Sequence, residues 1–221
     1  MRLPRRRDSR GLLGRGLAWQ PNFLKWPESF IYIMRLVVGI SGASGAIYGV
    51  RALEVLRKLR AEVHLVVTTA ARETIPIETG LRTREVERLA TRTYDIGDLT
   101  SVLASGSYQT DGMLVVPCSM KTLGGIVTGY SDNLLLRAAD VTLKERRPLV
   151  LVVRETPLSL IHLENMVTVT RAGAVVLPAM PAFYHKPRTI DELVDQVVGK
   201  ALDVLGVENG LLKRWGRGGR A

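Results

Sequence analysis

Cysteine and histidine are nearly missing from this chain. Cys118 is the one cysteine in 221 residues. It has no partner for an intramolecular disulfide, and a reducing compartment is expected. His64, His162 and His185 stand far apart with no Cys/His cluster, which argues against a zinc site. No uninterrupted apolar run approaches the roughly 18 residues of a membrane helix. The apolar run near residue 40 is cut by glycine and serine at turn spacing. Aromatic residues make up only 5% and are not interleaved with basic ones, which sets nucleic acid aside as a partner.

With 46% hydrophobic and 24% charged residues, the chain can bury one sizeable core, and a single domain is expected. Its net charge of +10 is unevenly spread. Residues 1–33 carry seven basic residues against Asp8 and Glu28, so half of the excess lies in this head. An Arg-rich, acid-poor head mimics a mitochondrial transit peptide. It has no amphipathic repeat, and the preferred reading is a nonessential extension before Met34, with a cytoplasmic protein behind it. The organisation expected is therefore a basic extension over 1–33, a domain over 34–206, and a Gly/Arg-rich tail over 207–221 that frays beyond Trp215.

From Met34 onward, short β-branched runs alternate with helical patterns. The runs are Leu36–Ile40, Val63–Thr68, Met113–Val116, Leu149–Val153 and Val175–Leu177. Between the first two, Ile47, Val50, Leu53, Leu56 and Leu59 recur every three residues and predict one amphipathic helix. Leu149–Val153 is apolar throughout, as in a strand covered on both faces. The fold class expected is α/β, a three-layer Rossmann-like parallel sheet between helices.

Ligands of such sheets bind beyond the carboxyl ends of the strands. The first strand delivers Gly39, Gly42 and Gly45 spaced by three, with Ser41, Ala43 and Ser44 among them, and then a helix whose N-terminus favours an anion. A dinucleotide fold wants an acid roughly 20 residues on, closing the second strand. Thr68 and Thr69 stand there instead, so a mononucleotide fits better, and only Arg72 keeps NADP in play. The third strand leads into Ser119-Met120-Lys121-Thr122, where Ser119 is either a helix cap or a ligand contact. Cys118 is read as a small buried hydrophobe. The fourth strand ends in Arg154-Glu155-Thr156-Pro157. Two charges directly after five apolar residues are expected to be partly desolvated, with Thr156 capping a helix that starts at Pro157. Glu155 is then either a general acid or the ion partner of Arg154. Arg137, Asp140 and Lys144 share a helix face, either a solvated stripe or two cations facing an anion. Phe183 and Tyr184 lie in a proline-punctuated loop, where the tyrosine either plugs a sheet edge or offers its hydroxyl to a phosphate.

Taken together, "GISGASGAIYGVR", "PCSMKTLGGI", "LLLRAADVTLKERRPLVLVVRETP", "HLENM" and "PAFYHKP" resemble the flavin prenyltransferase family (UbiX-like), from Met34 to about Trp215. The resemblance implies a Rossmann-like flavoprotein, usually a homododecamer and metal-free. Such an enzyme joins a dimethylallyl group from dimethylallyl monophosphate to N5 and C6 of reduced FMN. The prenylated FMN serves a UbiD-type decarboxylase, including in ubiquinone biosynthesis. The resemblance assigns Gly42, Ala43 and Ser44 to FMN, with Ser44 near N5. It adds Thr68 (serine in the family), Ser119, Met120, Lys121, Thr122 and Arg154. The prenyl phosphate falls to Ser105, Arg137, Lys144, Tyr184 and Lys200 (often arginine in relatives), some arriving from neighbouring subunits. Glu78 matches an acid of the family's site, and Glu155 the acid that assists phosphate departure. The alternatives are an FMN-dependent cysteine decarboxylase, whose early histidine and Asn-bearing loop have no counterpart here, and a non-enzymatic FMN carrier. An NADP-dependent reductase is more distant.

Overall fold

The computed structural model describes residues 33–212, so most of the basic head and the tail from residue 213, including Trp215, lie outside the described residues. One sheet of six parallel strands organises the rest: β1 Arg35–Ile40, β2 Glu62–Val67, β3 Arg92–Tyr94, β4 Gly112–Cys118, β5 Leu149–Val153 and β6 Val175–Val176. Their order is β3-β2-β1-β4-β5-β6, with the chain reversing direction across the sheet after β3, between β1 and β4. That reversal is a topological switch point, the place where open α/β sheets open a crevice.

Period-two alternation divides the core between two helical layers. Leu36, Val38, Ile40, Leu65, Val67, Leu114 and Val152 pack with α1 (Ala46–Lys58), α2 (Thr69–Thr79), α3 (Thr83–Glu87) and α7 (Ile190–Val204). Val37, Val66, Met113, Val115, Leu151 and Val153 pack with α4 (Met120–Val127), α5 (Leu134–Lys144), α6 (Leu160–Arg171) and a 3-10 turn at Val102–Ala104. The fold is the expected three-layer Rossmann-like sandwich. Between β4 and β5 the register slips: Val115 pairs with Leu151, but Cys118 pairs with Val153, so β4 carries one extra residue. Among the described residues, no helix is long and apolar enough to cross a membrane.

The expected stripe on α1 holds in its middle and drifts at its ends. Val50, Leu53 and Leu56 are buried, Ile47 is half-buried, and Leu59 is 44% exposed. A repeat of three lags the 3.6-residue turn, so the outermost members rotate off the core face. The short strand β3 was not expected at all.

A polar knot crosses the buried side of β2. His64 is 3% exposed, with Nδ1 2.8 Å from the Tyr94 hydroxyl and Nε2 3.0 Å from the Glu62 carboxylate and 3.1 Å from the Tyr108 hydroxyl. Arg35 holds the other Glu62 oxygen at 2.9 Å. Burial pushes the imidazole below its ordinary 6.5, against the opposing pull of Glu62. Below the ordinary value the unfolded chain binds a proton that the folded chain resists, so stability is complete above that pH and declines beneath it. The melting temperature is expected to fall between about pH 7.5 and 5.5, and His64→Gln is expected to flatten that slope. Thermal denaturation followed by circular dichroism reads both.

Candidate active site

Beyond Ile40 the chain turns through Ser41–Gly45 before α1 begins. Ser41 is 1% exposed, donating its hydroxyl to the Pro117 carbonyl at 2.9 Å and accepting the Ser119 amide at 2.8 Å. It fastens the end of β1 to the end of β4. Gly42 is required by close approach, since a Cβ there would lie 2.3 Å from the Ala70 Cβ. Gly45, the N-cap of α1, sits at φ 103°, in the left-handed region that glycine tolerates.

The N-terminus of α1, expected to receive a ligand anion, already holds one from the protein. Glu78 reaches over from α2, and its Oε2 accepts the Gly45 and Ala46 amides, each at 2.8 Å. Burial pushes the Glu78 carboxyl up, but the Ser44 hydroxyl, the two amides and nearby Arg154 outweigh it and hold the group below its ordinary range. Ser44 and Glu78 thus form one unit at the mouth of the loop.

Beside this unit lies a cleft of about 850 Å³. Gly42, Thr68, Ser119, Met120, Lys121, Thr122 and Glu155 all line it, as the carboxyl-end argument expects. Ser119 caps α4, accepting the Thr122 amide at 3.3 Å and donating to the Thr122 hydroxyl at 3.1 Å. The Met120 and Lys121 amides fall in the first turn, where a helix offers no backbone partner. Thr68 caps α2 through the Ala71 amide at 3.2 Å. Ala43 is 9% exposed and donates its amide to the Ser41 carbonyl at 2.9 Å. It shapes the loop and is not among the cleft's lining residues.

Two expectations at the end of β5 need correction. Arg154 and Glu155 are exposed because β5 stops at Val153 and the described residues leave the following turn uncovered. They do not pair with each other: a Glu155 oxygen accepts the Thr156 amide at 3.0 Å, while Arg154 acts on Glu78 and Tyr48. The next helix starts at Leu160, capped by Ser159 rather than Thr156. Ser159 accepts the His162 amide and His162 Nδ1 accepts the Ser159 amide, both at 3.3 Å, a reciprocal cap that satisfies two donors.

The residues assigned to the prenyl phosphate do not line this cleft in one protomer. Ser105, Arg137 and Lys144 surround the turn after Leu103. Arg137 donates to the Ala104 carbonyl at 3.1 Å and to Asp140 at 2.7 Å. The Ser105 hydroxyl lies 2.8 Å from that of Ser107, and Lys144 pairs with Glu145 at 2.7 Å. Tyr184 is 49% exposed, its ring edge-on to His185 at 5.6 Å. Lys200 lines a separate shallow depression with Asp203 and Glu208.

The Flavoprotein family model matches residues 30–202. Flavin prenyltransferase UbiX of Escherichia coli K12 is 54% identical over 184 residues, covering 82% of this chain and 97% of the relative. The crystal structure of AnUbiX (PadA1) in complex with FMN and dimethylallyl pyrophosphate superposes with a TM-score of 0.82 at 50% identity, covering 83% of this chain and 98% of that one. The dodecameric FMN-dependent UbiX-like decarboxylase from Escherichia coli O157:H7 gives 0.81 at 50% identity, with coverages of 82% and 99%. The chain belongs to the flavin prenyltransferase family.

As a flavin prenyltransferase, the chain has a cleft that fits FMN. Leu135, Leu136 and Ile96 give it an apolar wall, Thr68 and Ser119 give it hydroxyls, and the start of α4 gives it backbone donors beside Lys121. Arg72, the residue that kept NADP in play, is engaged with Glu87 at 2.7 Å. Cys118 is fully buried in the core on the α5 side of the sheet, where burial pushes its thiol up to about 12, as expected of a small hydrophobe. Among the described residues, no group of three or more His, Cys, Asp or Glu is arranged to hold a metal. Sequence reasoning missed the apolar wall and also Tyr130, Asp132 and Asn133 on the same cleft. The signal available for them was Asn133, whose side chain accepts the Leu136 amide at 3.0 Å as the cap of α5.

Proposed function

We propose that this chain joins a dimethylallyl group from dimethylallyl monophosphate to N5 and C6 of reduced FMN, making prenylated FMN for a UbiD-type decarboxylase in the cytoplasm. The observation that carries the reading is the cleft itself, where adjacent strand ends bring together free helix amides, hydroxyls and the Glu155 carboxyl. The family membership and the neighbour's complex with FMN and a dimethylallyl phosphate ester support it.

When bound, reduced FMN supplies the nucleophilic N5 and C6. Gly42, Thr68, Ser119, Met120, Lys121, Thr122 and Arg154 would hold it, with Ala43 shaping the loop beside them, and Ser44, fixed by Glu78, would stand by its reactive edge. Glu155 gives a proton to the bridging oxygen as the allylic C–O bond breaks, and inorganic phosphate leaves. Ser105, Arg137, Lys144, Tyr184 and Lys200 stabilise that anion. Because they lie away from the Glu155 cleft of their own protomer, neighbouring copies supply them in a homo-oligomer, a dodecamer as in the E. coli relative. The surface of α6 supports this assembly. Leu160 and Ile161 are 69% and 68% exposed, and Val169 is the one residue the helix buries.

Anaerobic incubation with reduced FMN and dimethylallyl monophosphate, followed by mass spectrometry of the released flavin, tests the reading. A gain of one C5 unit is expected. Unchanged FMN points instead to a carrier or, with carbon dioxide released from a cysteinyl substrate, to a decarboxylase. A parallel reaction with the pyrophosphate ester identifies the preferred donor.

A further inference from the structure

We propose that Glu78 sets the cofactor class of the cleft: its carboxylate fills the place of a dinucleotide's pyrophosphate, so the site takes a mononucleotide flavin and rejects FAD and nicotinamide dinucleotides. The proposal rests on the FMN reading above. In a dinucleotide-binding fold, the pyrophosphate sits on the N-terminus of the helix that follows the first strand. This chain builds that whole arrangement. β1 is central, the glycine loop follows, and α1 runs 13 residues from an N-cap that has no side chain of its own. What differs is the occupant, a carboxylate 33 residues further along the chain from Gly45.

The placement of Glu78 is unfavourable for its own helix. It lies in the last turn of α2, where the helix presents its negative end and has no basic residue to offset it. Its contacts to the Gly45 and Ala46 amides, to Ser44 and to Arg154 are what hold it there as an ionised group. A pyrophosphate arriving at these amides would meet a like charge already seated on them. The N-terminus of α4 opens on the adjoining cleft, has no acidic residue in its first turn and adds the charge of Lys121, so a single phosphate has a place to go there. The adenosine side is closed to recognition as well. Thr68 caps α2 where a ribose-binding acid would stand, and Arg72 is taken by Glu87.

The test uses the full-length protein, Glu78→Ala and the shape-preserving Glu78→Gln, titrated with FMN and FAD by flavin fluorescence. The ratio of the FAD and FMN dissociation constants is expected to fall by about tenfold or more in the variants through tighter FAD binding. Glu78→Gln keeps the test decisive should the alanine variant fold poorly. A ratio unchanged from wild type in a folded variant overturns the proposal. Inorganic pyrophosphate alone provides a flavin-free arm. Its thermal stabilisation is expected to be larger for the variants than for wild type, and an equal shift counts against the proposal. Wild type that fails to bind FMN would overturn the proposed function, while the pyrophosphate arm would still judge Glu78.

Discussion

Glu155→Gln is expected to retain FMN and lose roughly 10²–10⁴-fold of prenyl transfer, the range that a positioned general acid supplies. The side chain stands on the cleft with one oxygen turned to the neighbouring Thr156 amide at 3.0 Å, an acceptor contact that the glutamine oxygen preserves. Shape and flavin contacts therefore survive, and only the transferable proton is removed. Without it, the phosphate oxygen must leave as a more basic anion, and the cations around it must compensate alone. The loss should fall on kcat, with FMN affinity unaltered. Single-turnover assays with pre-bound reduced FMN measure the chemical step directly. Wild-type turnover in the variant would remove Glu155 from the mechanism.

Gly42→Ala should be the most damaging single methyl group in the cleft. The new Cβ would lie 2.3 Å from the Ala70 Cβ and 3.2 and 3.3 Å from the Ala70 carbonyl and α carbons. Backbone on both sides cannot rotate away as a flexible side chain would. The start of α2 must shift, at about 1–3 kcal/mol for overpacking of this kind. That shift carries Thr68 and Thr69, which line the flavin cleft, so loss of FMN binding should exceed the loss of stability. Adding Ala70→Gly removes the closest contact and should restore part of both. Flavin content on purification and the melting temperature of the single and double variants separate this steric account from a general defect.

Five of the six strands were legible, four of them (β1, β2, β4 and β5) because each is a mostly apolar run buried along nearly its whole length, and β6 because a pair of valines opens the last run. β3 was not, because it is three residues long and buries Tyr94 alone. The hydroxyls, glycines and acid of the cleft follow from the carboxyl-end rule and the sequence alone. That rule could not find Leu135, Leu136 and Ile96, since an apolar cleft wall and a core face have the same pattern in one dimension. Nor could it reveal that Glu78 occupies the first helix, because the contact spans 33 residues and depends on how α2 crosses the loop. The start of α6 was misplaced because both Thr156 and Ser159 are acceptable caps, and only the reciprocal contact with His162 distinguishes them. The residues that resemblance assigns to the prenyl phosphate are scattered over one protomer, and nothing in their own stretches of sequence marks that separation.

The extra residue in β4 behaves like a frameshift in side-chain direction. Leu114 and Val116 belong to the α1 layer, whereas Met113 and Val115 belong to the α5 layer, yet Cys118 joins the α5 layer where strict alternation would place residue 117. Everything from Pro117 to the start of α4 is thus written one position out of phase with the strand before it. Residue count in this segment is therefore constrained separately from residue identity. Substitutions within Pro117–Thr122 change individual contacts, but a one-residue deletion would exchange inside for outside and turn the serine that caps α4 away from the cleft.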